Sequence, residues 1–227
     1  MMNAVWTRQV WSHLAKDLRI EWRSKEAINS MLFFALLVVV VFSLAFDPRG
    51  SFAREIAGGV LSVATLFASA SALNQAWARE IRHQVLDAQR MAPASGAALF
   101  LAKALANFLF VAIVQTLLAP VFLVMYNLRI EGEAWKLLLV LPLGTWALVV
   151  NGTFFAALSI RSRNRELLLP LILFPIFIPA LLAMVLATGS ILTGESSPDL
   201  WIKVLVGYDI IFTTVCLLLF DVVLQAE

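Results

Sequence analysis

Six long stretches almost free of charge dominate this sequence, at residues 28–46, 56–78, 98–126, 135–160, 167–191 and 204–224. Each matches the roughly 20 residues that carry an α-helix across ~30 Å of hydrocarbon at ~1.5 Å per residue. In lipid every backbone N–H and C=O must find a partner within the protein, so such runs fold as helices. Composition agrees: 61% of the 227 residues are apolar and 14% charged, against about half and about a quarter in an average globular protein. The expectation is an all-α polytopic membrane protein whose whole length, 1–227, makes one six-span domain. The connections 47–55, 127–134, 161–166 and 192–203 are short and leave no room for a soluble domain.

One connection is different. Residues 77–103 read WAREIRHQVLDAQRMAPASGAALFLAK, a charged interlude between the second and third spans. Charges do not rest in hydrocarbon, so it lies in water against the membrane. Its inner part, 79–93, lacks Gly and places Leu86 and Arg90, and His83 and Asp87, four residues apart, until Pro93 removes a backbone donor. That pattern predicts a short surface helix. Arg79, Glu80, His83, Leu86, Asp87, Arg90 and Pro93 are the candidate residues by which a soluble motor grips the chain. The alternative is a solvated loop with no partner.

Residues 1–27 predict an amphipathic helix. Trp6, Val10, Leu14, Leu18 and Trp22 recur every four residues, while Arg8, Lys16, Arg19 and Arg23 fall mostly elsewhere. Such a helix lies among lipid headgroups with its basic side chains toward phosphates, or packs on a partner. Orientation follows from the basic residues at the span ends. Twelve lie on the side holding the N-terminal helix, the 77–103 interlude and 161–166, against five on the other. Both termini are therefore expected in the cytoplasm. Trp22 and Trp77 then mark the inner interface, Trp135 and Trp201 the outer.

Three features inside the spans exceed plain hydrophobicity. Ser62, Thr65, Ser69, Ala72 and Ala76 form a small-residue face on span two, the kind of seam along which membrane helices pack. Pro170, Pro175 and Pro179 fall within ten residues of span five, which predicts a bent or broken helix. It is either a hinge or a static kink. Asp209 lies in span six, six residues past Lys203 and so roughly 9 Å down the helix, with Tyr208 and Thr213 as candidate hydrogen-bond donors. An aspartate at mid-membrane costs about 2.5–3.5 kcal/mol on the insertion scale. Two roles are open for this intramembrane acid: a structural contact between helices or subunits, or gating.

Catalytic patterns are missing. There is no phosphate-binding Gly-rich loop ending in Gly-Lys-Ser/Thr and no G-x-S-x-G turn. His13 and His83 are the only histidines, and Cys216 is the only cysteine. A metal site and an internal disulfide are thus not expected. A non-catalytic membrane subunit that draws energy from a separate protein fits better than an enzyme.

The chain resembles the heme exporter protein B family over nearly its whole length. The resemblance rests on Leu86-Asp87, Pro93 and Ala102-Lys103; on Leu143-Gly144-Thr145 with Gly152; on RNRELLLPLILFPIFIPALLA at 163–183; and on Asp209 with Leu219-Phe220-Asp221. It departs at Gln84 and Val85, where a Gly-Ser/Thr pair is expected. The resemblance implies an ABC-2-like permease in a bacterial inner membrane, used as two copies and clamped by a cytoplasmic ATP-binding-cassette ATPase through a coupling helix at 79–93. It further implies a haem-handling membrane subunit, a small single-span subunit and a haem chaperone as partners, with neither nucleic acid nor directly bound cofactor. Haem would be handled by the partners and ATP by the ATPase. The implied role is release of the haem-loaded chaperone in cytochrome c maturation. Alternatives are export of a lipid, glycan or small thiol, or a passive scaffold for the haem-handling subunit.

Overall fold

The apolar runs do fold as helices. The computed structural model describes residues 2–46, 51–76, 95–127, 132–159 and 165–225. Helix α1 covers Met2–Ser24, α2 Glu26–Ala45, α3 Ser51–Ala76 and α4 Gly96–Met125. A 3-10 turn at Ala134–Lys136 leads into α5, Leu137–Ser159, followed by α6, Arg165–Thr193, and α7, Asp199–Gln225. There is no strand among the described residues. Helices α2 to α7 each contain a segment long and apolar enough to cross a membrane, and the chain is a multi-pass membrane protein.

Helix α1 is tied to the bundle at both ends of its buried face. Val10 and Leu14 are buried in the cluster that contains Ala98, Ala102 and Ala106 of α4. At the other end Lys25 adopts a left-handed conformation, φ 53°, which turns the chain into α2. Glu21, only 2% exposed, accepts from the amides of Ala27 at 2.7 Å and Ile28 at 3.1 Å. A carboxylate thus caps the first turn of α2, satisfying amides that have no intrahelical acceptor and complementing the positive end of the helix. Trp11 and Trp22 stay exposed. The four-residue stripe therefore does not form one face: each step of four gains 40° at ~100° per residue, so by Trp22 it has wound off the bundle.

Helix α3 is central and packs against α2, α4, α5 and α6. Its small-residue seam is buried at Ser62, Thr65, Ser69 and Ala72, and Ser62 and Thr65 return their hydroxyls to the carbonyls of Gly58 and Leu61. At Gly58 the crossing with α6 is backbone on backbone: a Cβ there would lie 2.7 Å from the amide nitrogen of Gly189.

Helix α6 runs unbroken from Arg165 to Thr193 through all three prolines, where sequence favoured a bent or broken span. The Tyr208 hydroxyl donates to the carbonyl of Ile176 at 2.7 Å and so ties α7 to α6 between Pro175 and Pro179. Helix α7 packs on α4, α5 and α6. Phe220 of α7 closes an aromatic cluster with Phe100 of α4, centroids 4.9 Å apart, and Phe154 of α5. At the opposite end of the bundle the Lys136 ammonium meets Asp199 at 2.7 Å and Glu133 at 3.1 Å.

Candidate functional site

The segment 79–93, with Arg79, Glu80, His83, Leu86, Asp87, Arg90 and Pro93, lies outside the described residues. Its two anchorages do not. Helix α3 leads into it, and α4 leaves it at Gly96 after Ser95, whose carbonyl accepts from the amides of Ala98 at 3.1 Å and Leu99 at 3.2 Å. Two turns on, Lys103 is 4% exposed with its ammonium 3.3 Å from the Asp17 carboxylate of α1. Ser30 of α2 and Ser71 of α3 share a hydrogen bond of 2.8 Å at this same end. The exit of the segment is therefore clamped to α1, α1 is capped onto α2, and α2 is bonded to the entry helix. A force on 77–94 would meet a braced collar.

Deeper in the membrane the spans are cross-linked by side chains that the charge pattern does not reveal. The Gln115 amide of α4 donates to Thr65 of α3 at 3.0 Å and to Thr145 of α5 at 2.9 Å. Asn107 of α4 donates to Thr153 of α5 at 3.2 Å. Asn151 of α5 donates to the Tyr208 hydroxyl of α7 at 3.2 Å, which in turn donates to Ile176 of α6. These bonds join α3 to α7 into one polar core. The signal was available as single amides within apolar runs, but their pairings depend on helix rotation. Removing the relay at its hinge, Tyr208→Phe, is expected to cost about 1 kcal/mol, within the range for hydrogen bonds between membrane helices. Unfolding of the purified chain by SDS in mixed micelles checks this; an unchanged midpoint contradicts it.

Asp209 is next to this relay but not part of it. Neither expected donor reaches it: Tyr208 donates to Ile176, and Thr213, which accepts the Trp146 indole N–H at 3.0 Å, makes no hydrogen bond to Asp209. Tyr208, the adjacent residue, points about 100° away from Asp209 on the helix. Asp209 is 8% exposed, and neither carboxyl oxygen has a hydrogen-bond partner among the described residues. Counted from the start of α7 at Asp199, it lies ten residues, or ~15 Å, along the helix. It lines a groove of about 320 Å³ walled by Phe108 of α4, by Pro142, Leu143 and Trp146 of α5, and by Val206 and Ile210 of α7. Pro175 and Pro179 are linked to this region through Tyr208 and Ile176; Pro170 lies nearer the start of α6.

Comparisons with known proteins converge. The family model described as CcmB protein matches residues 8–224. The chain is similar to heme exporter protein B of Rhodobacter capsulatus, 34% identical over 169 residues that cover 74% of this chain and 77% of that protein. It is also similar to heme exporter protein B of Pseudomonas aeruginosa, 32% identical over 74% of this chain and 75% of the relative. For the Paracoccus denitrificans protein of the same name the figures are 32%, 74% and 77%.

Proposed function

The chain belongs to the CcmB protein family, and from that premise we propose that it is the membrane permease subunit of an ATP-binding-cassette complex that serves cytochrome c maturation. The observation carrying this reading is the family match, which spans all six membrane helices and the interlude between α3 and α4. The chain sits in a bacterial inner membrane with both termini in the cytoplasm, in line with the distribution of its basic residues. Two copies are clamped by ATPase subunits, beside a haem-handling membrane subunit, a small single-span subunit and a haem chaperone.

Segment 79–93 is the coupling helix. Closure of the ATPase around nucleotide moves it, and the collar of α1, α2 and α4 converts that movement into a displacement of whole spans. A rigid transmission is needed because a compliant one dissipates the force in local bending. The Gly58–Gly189 crossing and the Tyr208–Ile176 bond carry the displacement into α6 and α7. The output is release of the haem-loaded chaperone on the other side, and the chain itself performs no chemistry on haem or ATP.

The experiment is a double charge reversal, Glu80→Lys with Asp87→Lys, in the complex purified from membranes. Stimulation of the ATPase by the membrane subunits and release of haem-loaded chaperone should both fall at least tenfold, while the variant inserts at wild-type levels. Retention of both activities would sink the proposal.

A further inference from the structure

We propose that residues 132–136 form a strap that fixes the adjacent ends of α5, α6 and α7 into one rigid body, so that these three spans rearrange only about that end. The strap holds α6 through its backbone. The last carbonyls of a helix have no intrahelical partner, and the carbonyl of Ile191, in the final turn of α6, accepts from the Gly132 amide at 3.0 Å. Glycine is required there, because a Cβ on Gly132 would lie 2.6 Å from that carbonyl oxygen. Further along, the strap holds α7 through a charge. The Lys136 ammonium meets Asp199, the first residue of α7, at 2.7 Å and Glu133 of the strap itself at 3.1 Å.

Every oxygen of the two acids is engaged. The other Asp199 oxygen accepts from the Ser197 hydroxyl at 2.9 Å, and the other Glu133 oxygen accepts the Trp135 indole N–H at 3.1 Å. Ser190, near the end of α6, and Ser196 share a hydrogen bond of 2.8 Å that closes the loop leading to α7. A polar network whose acceptors are all satisfied rigidifies the elements it joins, because hydrogen bonds are directional. The far ends of α5 and α7 meet differently: Phe154 and Phe220 lie with ring centroids 6.4 Å apart in an apolar cluster. Apolar attraction is non-directional, so such surfaces shift against one another more readily. The three spans are thus pinned at one end and adjustable at the other, the arrangement of a fulcrum.

The test uses the purified full-length chain in phosphatidylcholine nanodiscs. Lys136→Met cuts the tie to α7, and in a strap that acts as one unit it also frees the Gly132 amide. Hydrogen–deuterium exchange over residues 132–137 should then quicken roughly 5- to 30-fold, the factor by which a modest loss of local stability shifts an opening equilibrium. Conversely Gly132→Ala, which acts on α6, should quicken exchange at the start of α7, residues 202–206. Lys136→Arg keeps a cation between the acids and should exchange as wild type does. Wild-type exchange in Lys136→Met, or a Gly132→Ala effect confined to the strap, overturns the proposal. Motion is read separately, as the distance between spin labels on exposed positions in a Cys216→Ala background: Leu138 with Leu200 at the strapped end, and Leu158 with Val222 at the far end. In the complex with the ATPase subunit, nucleotide should shift the far pair and leave the strapped pair in place. This arm alone rests on the coupling role of 79–93. A shift of the strapped pair overturns the strap, whereas no shift in either pair overturns the coupling role and leaves the exchange measurements to decide the strap.

Discussion

Replacing Gly58 with alanine should destabilise the helix bundle by about 2 kcal/mol, in the middle of the range for overpacking a well-packed interior. The same change at Gly189, its partner across the crossing, should stay within about 0.5 kcal/mol of wild type. The asymmetry comes from what each new methyl would meet. A Cβ on Gly58 lies 2.7 Å from the Gly189 nitrogen, 3.0 Å from its Cα and 3.1 Å from the Val185 carbonyl oxygen. All three are backbone atoms and cannot rotate aside, so α3 and α6 must separate. Separation forfeits dispersion along a seam of small residues, and in lipid dispersion between helices is a main source of association. A Cβ on Gly189 meets nothing within 4 Å. At Gly152 a Cβ would run into both methyls and the Cγ of the buried Leu73 side chain, which would have to repack. Unfolding of the purified variants by SDS in mixed micelles separates these outcomes. Equal losses for Gly58→Ala and Gly189→Ala would show that the crossing is not the close contact described.

Much of this architecture was legible because hydrocarbon is an unforgiving solvent. Six nearly uncharged runs had one viable conformation, and the charges between them marked the ends. Rotation about each helix axis was not legible in the same way. Nothing in the pair Gly58-Gly59 tells which glycine faces α6; a Cβ on Gly59 meets open space. Val10 and Leu14 were recognisable as an apolar face, but not that Trp22, continuing the same spacing, would end on the outside. Asp209 stood out at once as an acid in an apolar run, whereas its lack of a hydrogen bond among the described residues could only emerge from the packed helices. Glu21 gave no warning at all. A glutamate in a basic amphipathic helix reads as surface, and its burial follows from the left-handed turn at Lys25 that swings α2 back over it. Sequence therefore located the elements, and tertiary contact decided which residues work.

Cutting the clamp between α1 and α4 is the second large effect to expect. Asp17→Ala should loosen α1 by about 2–3 kcal/mol, somewhat below the ~3–5 kcal/mol that loss of one partner from a fully buried ion pair costs. The value falls below that range because the Asp17 side chain keeps 17% of its exposure, whereas that of Lys103 keeps 4%. Its removal takes one carboxylate away from the buried Lys103 ammonium, and the cheapest relief is for α1 to lift so that water reaches that ammonium. A free-energy loss of that size corresponds to roughly 30- to 150-fold faster amide exchange along the α1 backbone if local opening governs exchange. Lys103→Met should disturb α1 less, since it deletes the charge and leaves an unbranched apolar chain in the same space. Adding Lys103→Met to Asp17→Ala should then slow exchange again, because it removes the buried ammonium that no longer faces the Asp17 carboxylate. Hydrogen–deuterium exchange over residues 10–18 of the purified chain reads all three variants. If α1 exchanges at the wild-type rate in Asp17→Ala, the helix is held by contacts other than this ion pair, Val10, Leu14 and the Glu21 cap among them, and the collar does not brace α4 through this charge.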